Sequence, residues 1–294
     1  MLSFVIPTIE EEAVFDLVNR IKKEFPNSEI IIVDKSSKEY RDRLKKLGVK
    51  ILVQKNFGVE NAIMLGFRKA RGDILITIDG DDTHDREFNG IKKAIEMINN
   101  NEADVVFGNR FGGIKPGAMP FYIYFGNKVI SRIFSFVYHI KLHDSLTGLV
   151  VMKREAFDSI RNLEPYRAGL AFFAIEFAKR GYIIKEVPIT YYPRRFSQSK
   201  LAKSKTVYGF GVVAHIVRMA RDYNPLFVFG TIGVILIIIG FLIGLYVLLN
   251  FLSTGSFTLI GRALIAFMLV VLGFLSIIAG FILDLLIEIE RRLE

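Results

Sequence analysis

Asp79-Gly80-Asp81 follows the apolar run Ile74-Leu75-Ile76-Thr77-Ile78. If extended geometry continues past that run, residues two apart project to the same side. Two carboxylates held that way repel each other unless a cation lies between them. Hard oxygen ligands suit Mg2+ or Mn2+, and such an ion can hold the diphosphate of a nucleotide. An Asp-x-Asp in a solvated turn needs no metal, so the placement of this pair at the end of an apolar run gives it its weight. Asp34 ends a second such run, Ile30-Ile31-Ile32-Val33. Two readings stand open for it. It accepts hydrogen bonds from a ribose or base, or it is the N-cap of a helix over 36–46, a role worth about 1 kcal/mol.

These carboxylates need strands to position them. The first half of the chain alternates short apolar runs at 2–6, 29–33, 49–53, 74–78 and 104–107 with amphipathic segments at 10–24, 38–46, 58–70 and 86–99. That alternation predicts βαβ units and a mostly parallel, buried sheet with flanking helices, an α/β fold of Rossmann-like kind. Ligands of such sheets bind beyond the carboxyl ends of the strands. Thr8 to Glu11, Asp34, Asp79 to Asp81 and Asn109-Arg110 stand at those ends.

The chain has 294 residues and is 51% hydrophobic, but unevenly so. Composition shifts near Asn224-Pro225, and 226–252 and 263–283 carry no charge. Two membrane spans are predicted, about 226–252 and 263–287, each longer than the roughly 20 residues that cross a bilayer. Ser253-Thr254-Gly255-Ser256 turns between them. Arg218 and Arg221 precede the first span, Arg291 and Arg292 follow the second, and the connecting loop holds only Arg262. Basic residues favour the inner side, so both termini and the first domain are expected in the cytoplasm of a multi-pass cell-membrane protein. Leu2 to Pro7 reads as a first strand and not as a signal-peptide core. Segments 118–141 and 201–222 are helical in pattern and mix basic residues with aromatics. Both read as helices at a membrane interface; an ordinary amphipathic core helix is the alternative for the first.

Net charge is +9 and there is no cysteine. Thiolate chemistry and cysteine metal sites are therefore excluded. The charge points to a membrane surface or a phosphorylated substrate. Nucleic acid is not expected as a partner, because no helix-turn-helix, zinc-finger, basic-zipper or RNA-recognition signature accompanies the charge.

Val5-Ile6-Pro7-Thr8-Ile9-Glu10-Glu11, Glu29 to Asp34, Asn56-Phe57-Gly58, Ala70-Arg71-Gly72-Asp73 and Asp79-Gly80-Asp81 together resemble the GT-A glycosyltransferases of family 2. Gly108-Asn109-Arg110, Asn127 with Ser131-Arg132, Asp144-Ser145-Leu146-Thr147-Gly148, Glu176, Glu186-Val187-Pro188-Ile189 and Arg195 to Lys200 look like its dolichol-phosphate mannose synthase and polyprenyl-phosphate glycosyltransferase branch. The resemblance covers residues 2–222. It implies a GT-A domain over 1–222 and leaves 223–294 as the transmembrane hairpin. The implied reaction is inverting transfer of a sugar from a GDP- or UDP-linked donor to a polyprenyl or dolichyl phosphate, with Mg2+ or Mn2+. The implied donor site is Pro7, Thr8, Glu11, Asp34, Asp79, Asp81, Arg195, Ser199 and Lys200, with the metal on Asp79 and Asp81. Arg110 and Arg132 are implied to hold the acceptor phosphate, and Asp144 to sit near the sugar or acceptor. Catalysis is thereby assigned to Asp79, Asp81, Asp144, Arg195 and Lys200. Membrane lipid is an implied partner, and a homo-oligomer is compatible with the pattern.

Ile9, Glu10, Lys35, Thr83 and Ser197 depart from the residues usual at their places. A processive polysaccharide synthase is disfavoured, since its Gln-x-x-Arg-Trp motif needs a tryptophan and this chain has none. Another acceptor, or a non-catalytic membrane scaffold, are the remaining alternatives.

Overall fold

The computed structural model describes the chain apart from residues 56–57, 165–168, 197–224, 257–258 and 294. The chain divides into two compact units, Met1–Val212 and Val213–Glu294. In the first, strands β1 (Leu2–Thr8), β2 (Glu29–Asp34), β3 (Lys50–Val53), β4 (Ile74–Thr77), β5 (Val105–Asn109), β6 (Val150–Lys153) and β7 (Ile184–Pro188) make one sheet. Their order is β3-β2-β1-β4-β6-β5-β7. All neighbours are parallel except β6, which runs antiparallel to both β4 and β5. The expected mostly parallel sheet is present, with β6 inserted against its direction.

Helices α1 (Ala13–Glu24), α2 (Lys38–Lys45), α3 (Val59–Lys69), α4 (Asn89–Asn99), α5 (Phe121–Tyr138), α6 (Arg154–Asp158) and α7 (Ala171–Lys179) flank the sheet. Central strands are apolar along their length because both faces are covered: Phe4, Val5 and Ile6 have no exposed surface. On one face α1 presents Val14, Leu17, Val18 and Ile21 at helical spacing, and α4 adds Ile91, Ala94 and Ile98. Each of the valine, leucine and isoleucine side chains, fully buried, contributes about 1.5–3 kcal/mol of transfer free energy.

The sheet reverses its direction of winding between β1 and β4. β2 and β3 step outward from β1 on one side, and the chain then returns to lay β4 on the other. A crevice opens at that reversal, outside the carboxyl ends of the strands. Antiparallel β6 delivers its amino end to the same rim. Thr77 lies opposite Val150, so the residues just before β6 stand beside those just after β4.

Two helix boundaries differ from the sequence reading for identifiable reasons. The segment expected to be helical from 86 begins its helix at Asn89. Asp82, Asp85 and Phe88 are left-handed, with φ of 56°, 45° and 58°, which breaks a helix for non-glycine residues. The Asp85 carboxylate instead caps α4, accepting from the N–H groups of Gly90 at 3.1 Å and Ile91 at 2.8 Å. The segment expected over 118–141 is helical from Phe121 to Tyr138, with left-handed His139 ending it. The segment 201–222 lies outside the described residues.

The second unit is a hairpin of α8 (Pro225–Thr254) and α9 (Ile260–Leu293). Both are long and apolar enough to cross a membrane. Glycines set their approach. A Cβ on Gly233 would lie 2.5 Å from the Gly273 carbonyl oxygen, and one on Gly273 2.6 Å from that of Gly233. The Ser276 hydroxyl donates to the Phe229 carbonyl at 2.7 Å across the same seam. Gly273→Leu is expected to force the helices apart at a cost of about 1–3 kcal/mol. Protease susceptibility in detergent should rise for that variant and stay unchanged for Gly261→Ala, whose Cβ would meet nothing within 4 Å.

Candidate active site

Three neighbouring strands end at the crevice. β1 supplies Pro7, buried Thr8 and, just beyond, buried Glu11. β2 supplies Asp34, which is fully buried. Its carboxylate accepts from the Ser36 N–H at 3.0 Å and from Arg41 Nε at 2.9 Å. The N-cap of α2 is Ser37, whose hydroxyl accepts from the Tyr40 N–H. Of the two roles open for Asp34, capping therefore belongs to Ser37.

β4 supplies the acidic pair. Asp79 is half-buried at the crevice and Asp81 is buried. Thr83 donates to Asp81 Oδ1 from its N–H at 3.1 Å and from its hydroxyl at 2.7 Å. Behind it, His84 Nδ1 lies 3.0 Å from the Thr83 hydroxyl, and the Gly148 N–H donates to His84 Nε2 at 3.2 Å. With Nε2 accepting, the neutral ring carries its proton on Nδ1, and a chain of donors runs from His84 through Thr83 to Asp81. Burial pushes the His84 pKa down to about 4, which keeps the ring neutral. The nearest oxygens of Asp79 and Asp81 and a ring nitrogen of His84 lie within 4.8 Å of one another. With both His84 nitrogens engaged by Thr83 and Gly148, the two carboxylates are the ligands on offer.

The donor set suits a divalent cation. Burial, and then the charge of Asp81, push the Asp79 pKa up to about 7; a cation between the two would relieve that repulsion. A guanidinium already fills part of this role, since Arg194 pairs with Asp81 Oδ2 and, at 3.4 Å, with Glu11 Oε2. Gly148 is needed beside the pair: a Cβ there would lie 2.0 Å from Asp79 Oδ2.

Arg110 and Asp144 meet one strand further along. Arg110 forms a 3-10 turn directly after β5. Its Nε and Nη2 donate to the two oxygens of Asp144, both at 2.7 Å, and its backbone N–H adds a third bond at 3.0 Å. Burial alone lowers the Arg110 pKa, but the charge and hydrogen bonds of Asp144 outweigh it and hold the pKa above its usual value. The Tyr191 ring lies 5.4 Å from the Arg110 guanidinium and packs edge-on against His84.

The crevice thus joins Thr8, Glu11, Asp79, Asp81, Arg110 and Asp144 with Thr83 and His84, which neighbour the acidic pair in sequence, and with Gly148, Tyr191 and Arg194. Arg195 is placed elsewhere: it pairs with Asp16 at 3.2 Å and is half exposed. Its neighbour Arg194 makes the contact with Asp81. Adjacent residues project in different directions, so two consecutive arginines could not be told apart from sequence. Ser199 and Lys200 lie outside the described residues. Arg132 stands on the exposed face of α5 and makes no hydrogen bond or ion pair among the described residues.

Residues 3–161 match the model of glycosyl transferase family 2. The chain belongs to this family. Glycosyltransferase AglJ of Haloferax volcanii is 28% identical over 98% of this chain and 95% of its own length. A dolichyl-phosphate hexose transferase of the same organism is 33% identical over 57% of this chain and 71% of its own. A dolichol-phosphate mannosyltransferase of Pyrococcus furiosus is 30% identical, over 75% of this chain and 64% of that one. Among solved structures, glucosyl-3-phosphoglycerate synthase from Mycobacterium tuberculosis, in complex with Mn2+, UDP and phosphoglyceric acid, aligns over 75% of this chain and 78% of its own. The TM-score is 0.55 at 15% identity, a likeness of GT-A fold.

Two expectations follow for this family 2 glycosyltransferase. Gly148→Ala should displace the Asp79 carboxylate and weaken Mn2+ binding by about tenfold or more, with an unchanged far-UV circular dichroism spectrum. Metal affinity should also depend on pH. Asp79 must lose its proton to ligate, and its pKa near 7 lies well above that of a free carboxyl. Affinity is then full above that value and falls by about tenfold per unit as pH drops below it. Calorimetric titration with Mn2+ from pH 5 to pH 8, roughly spanning the range of that carboxyl, reads the slope.

Proposed function

We propose that this glycosyltransferase moves a sugar from a nucleotide-sugar, GDP- or UDP-linked, to a polyprenyl or dolichyl phosphate at the cytoplasmic face of a membrane. The observation that carries the reading is the pairing of two sites on one rim. An acidic pair suited to a cation stands beside a buried arginine whose guanidinium, among the described residues, gives Asp144 two of its five N–H donors, in a chain that also bears two membrane-length apolar helices. The names of the relatives support the acceptor class: two of those described act on dolichol-type phosphates.

Asp79 and Asp81 would hold Mg2+ or Mn2+, which when bound neutralises the diphosphate leaving group. Pro7, Thr8, Glu11 and Asp34 line the nucleoside end of the crevice. Arg194, released from Asp81, would meet the same diphosphate, a role the family resemblance implied for Arg195. Ser199 and Lys200 are proposed to close over it. The nucleophile is an oxygen of the acceptor phosphate. It attacks the anomeric carbon in line, the bond from that carbon to the donor phosphate breaks, and the nucleoside diphosphate departs with the electron pair. A phosphate monoester has a second pKa of about 6 and is mostly dianionic at neutral pH, so no strong general base is required. Asp144, with both oxygens engaged by Arg110, serves to aim that guanidinium and not to take a proton. Positioning and charge neutralisation supply the rate.

The acceptor's tail belongs in the bilayer. α5 exposes Phe121, Phe125, Val129, Ile133 and Phe136 as one stripe, with Arg132 on its exposed surface. A basic, aromatic face of this kind suits the interface between headgroups and acyl chains. Arg132 would reach the acceptor phosphate from that face. The domain division at about 222, the interface helices and the cytoplasmic termini form part of this proposal, resting on the composition shift and the distribution of arginines.

Asp81→Ala should reduce transfer below detection while leaving folding and membrane insertion intact; full activity of that variant in chelator would sink the metal assignment. Polyprenol should be a poor acceptor beside polyprenyl phosphate, because it offers no charge and needs a base. Arg132→Ala should weaken use of the lipid phosphate by about tenfold or more, the loss of a charge-assisted contact, with less effect on hydrolysis of the donor alone. Both activities are measured in detergent on one preparation. Equal use of polyprenol and polyprenyl phosphate, or equal loss of both activities, would overturn the acceptor assignment.

A further inference from the structure

Glu186 is an acidic side chain on edge strand β7 that the mechanism above leaves without a task. Its side chain is 10% exposed. Oε1 accepts two consecutive backbone N–H groups, from His143 at 2.8 Å and Asp144 at 3.0 Å. Oε2 lies 2.7 Å from Nδ1 of the exposed His143. A carboxylate that receives two successive amides fixes the peptide between them.

That peptide carries Asp144. With its backbone fixed, the Asp144 carboxylate is held where both oxygens grip Arg110. The grip takes Nε–H and one N–H of Nη2. The guanidinium has five N–H donors, so those on Nη1 and the second on Nη2 remain among the described residues. Their direction is set by the plane that Asp144 imposes, and the Arg110 charge acts on Asp79. The same loop is tied at Ser145, whose N–H donates to the Ser131 hydroxyl at 3.0 Å, next to Arg132.

We propose that Glu186 is a positioning residue for the acceptor half of the site, acting through the His143-Asp144 peptide and Asp144 to aim Arg110 at the acceptor phosphate. This rests on the lipid-phosphate reading above. Glu186 touches no reacting atom, so its removal should separate acceptor from donor binding. A residue that merely stabilises β7 would not.

The test uses the full-length enzyme in detergent with polyprenyl phosphate, nucleotide-sugar and Mn2+. Glu186→Ala should raise the acceptor KM by about tenfold and leave Mn2+-dependent nucleotide binding unchanged within about twofold. Glu186→Gln keeps an oxygen for the paired amides and should recover most of the loss, to within about threefold of wild type. In an Arg110→Lys background, where no bidentate grip forms, Glu186→Ala should add less than about twofold. If Glu186→Ala does not fold, Glu186→Gln carries the test, with a rise in acceptor KM of about twofold to threefold at unchanged nucleotide binding as the expected result. Acceptor KM at the wild-type value in the folded variants would overturn the proposal. Parallel loss of nucleotide and acceptor binding, or a full additional loss in the Arg110→Lys background, would do the same. Wild-type enzyme that fails to use polyprenyl phosphate would remove the acceptor reading itself, whereas wild-type transfer with an unaltered variant would remove Glu186 alone.

Discussion

Asp79 and Asp81 hold like charges beyond the carboxyl end of the central strand β4, in a sheet whose interior is apolar, with ligand atoms within 4.8 Å. At an effective dielectric of about 20, two full charges at such a distance repel by roughly 3 kcal/mol before screening. The neighbourhood is arranged around that repulsion. Thr83 gives Asp81 two donors, Arg194 gives it a counter-charge, and the positive charges of Arg110 and Arg194 act on Asp79. Even so, burial and Asp81 together keep the Asp79 pKa near 7. The site is therefore built to gain from a cation, and Gly148 leaves room for the carboxylate that would bind it.

The second organising feature is the loop from His143 to Gly148. Glu186 holds its first peptide, Arg110 grips Asp144, Ser131 holds Ser145, and the Gly148 N–H meets His84. One short segment thereby touches β7, the turn after β5, α5 and the acidic pair. Such a loop couples the residues proposed for the acceptor to those proposed for the metal through hydrogen bonds, most of them among buried groups. Arg110, Asp144, Ser131, Ser145 and His84 are buried, so leaving any one of them unpaired is costly. That cost keeps the arrangement in a single geometry.

Outside the crevice, the apolar surface divides by kind. The sheet and its helices bury their apolar faces, whereas α5, α8 and α9 leave many large apolar side chains exposed. In α8 and α9 they surround a glycine-lined seam, so packing between the helices depends on close backbone approach and not on side-chain burial. α5 is different: its apolar residues form a single stripe, with Phe134 and Ser131 buried on the other side. A helix that is half core and half apolar surface suits the boundary between protein and membrane.

The order of apolar runs and amphipathic segments was enough to determine five strands, their helices, the parallel bias and the placing of Asp34, Asp79 and Asp81 at strand ends, because those features depend on local periodicity. The two apolar spans were equally legible, since length and absence of charge are properties of the chain itself. Asp82, Asp85 and Phe88 were not, because left-handed turns held by a distant strap of residues around Tyr191 leave no periodic signal. The direction of β6 was invisible as well: a short apolar run reads the same parallel or antiparallel, yet its reversal is what sets Gly148 beside Asp79. The pairing of Arg110 with Asp144, the choice of Arg194 over Arg195 at Asp81, and the hold of Glu186 on the Asp144 peptide were decided by tertiary structure alone. Each joins residues 34, 113 and 42 positions apart respectively, and only the folded sheet brings such distant charges within hydrogen-bond reach.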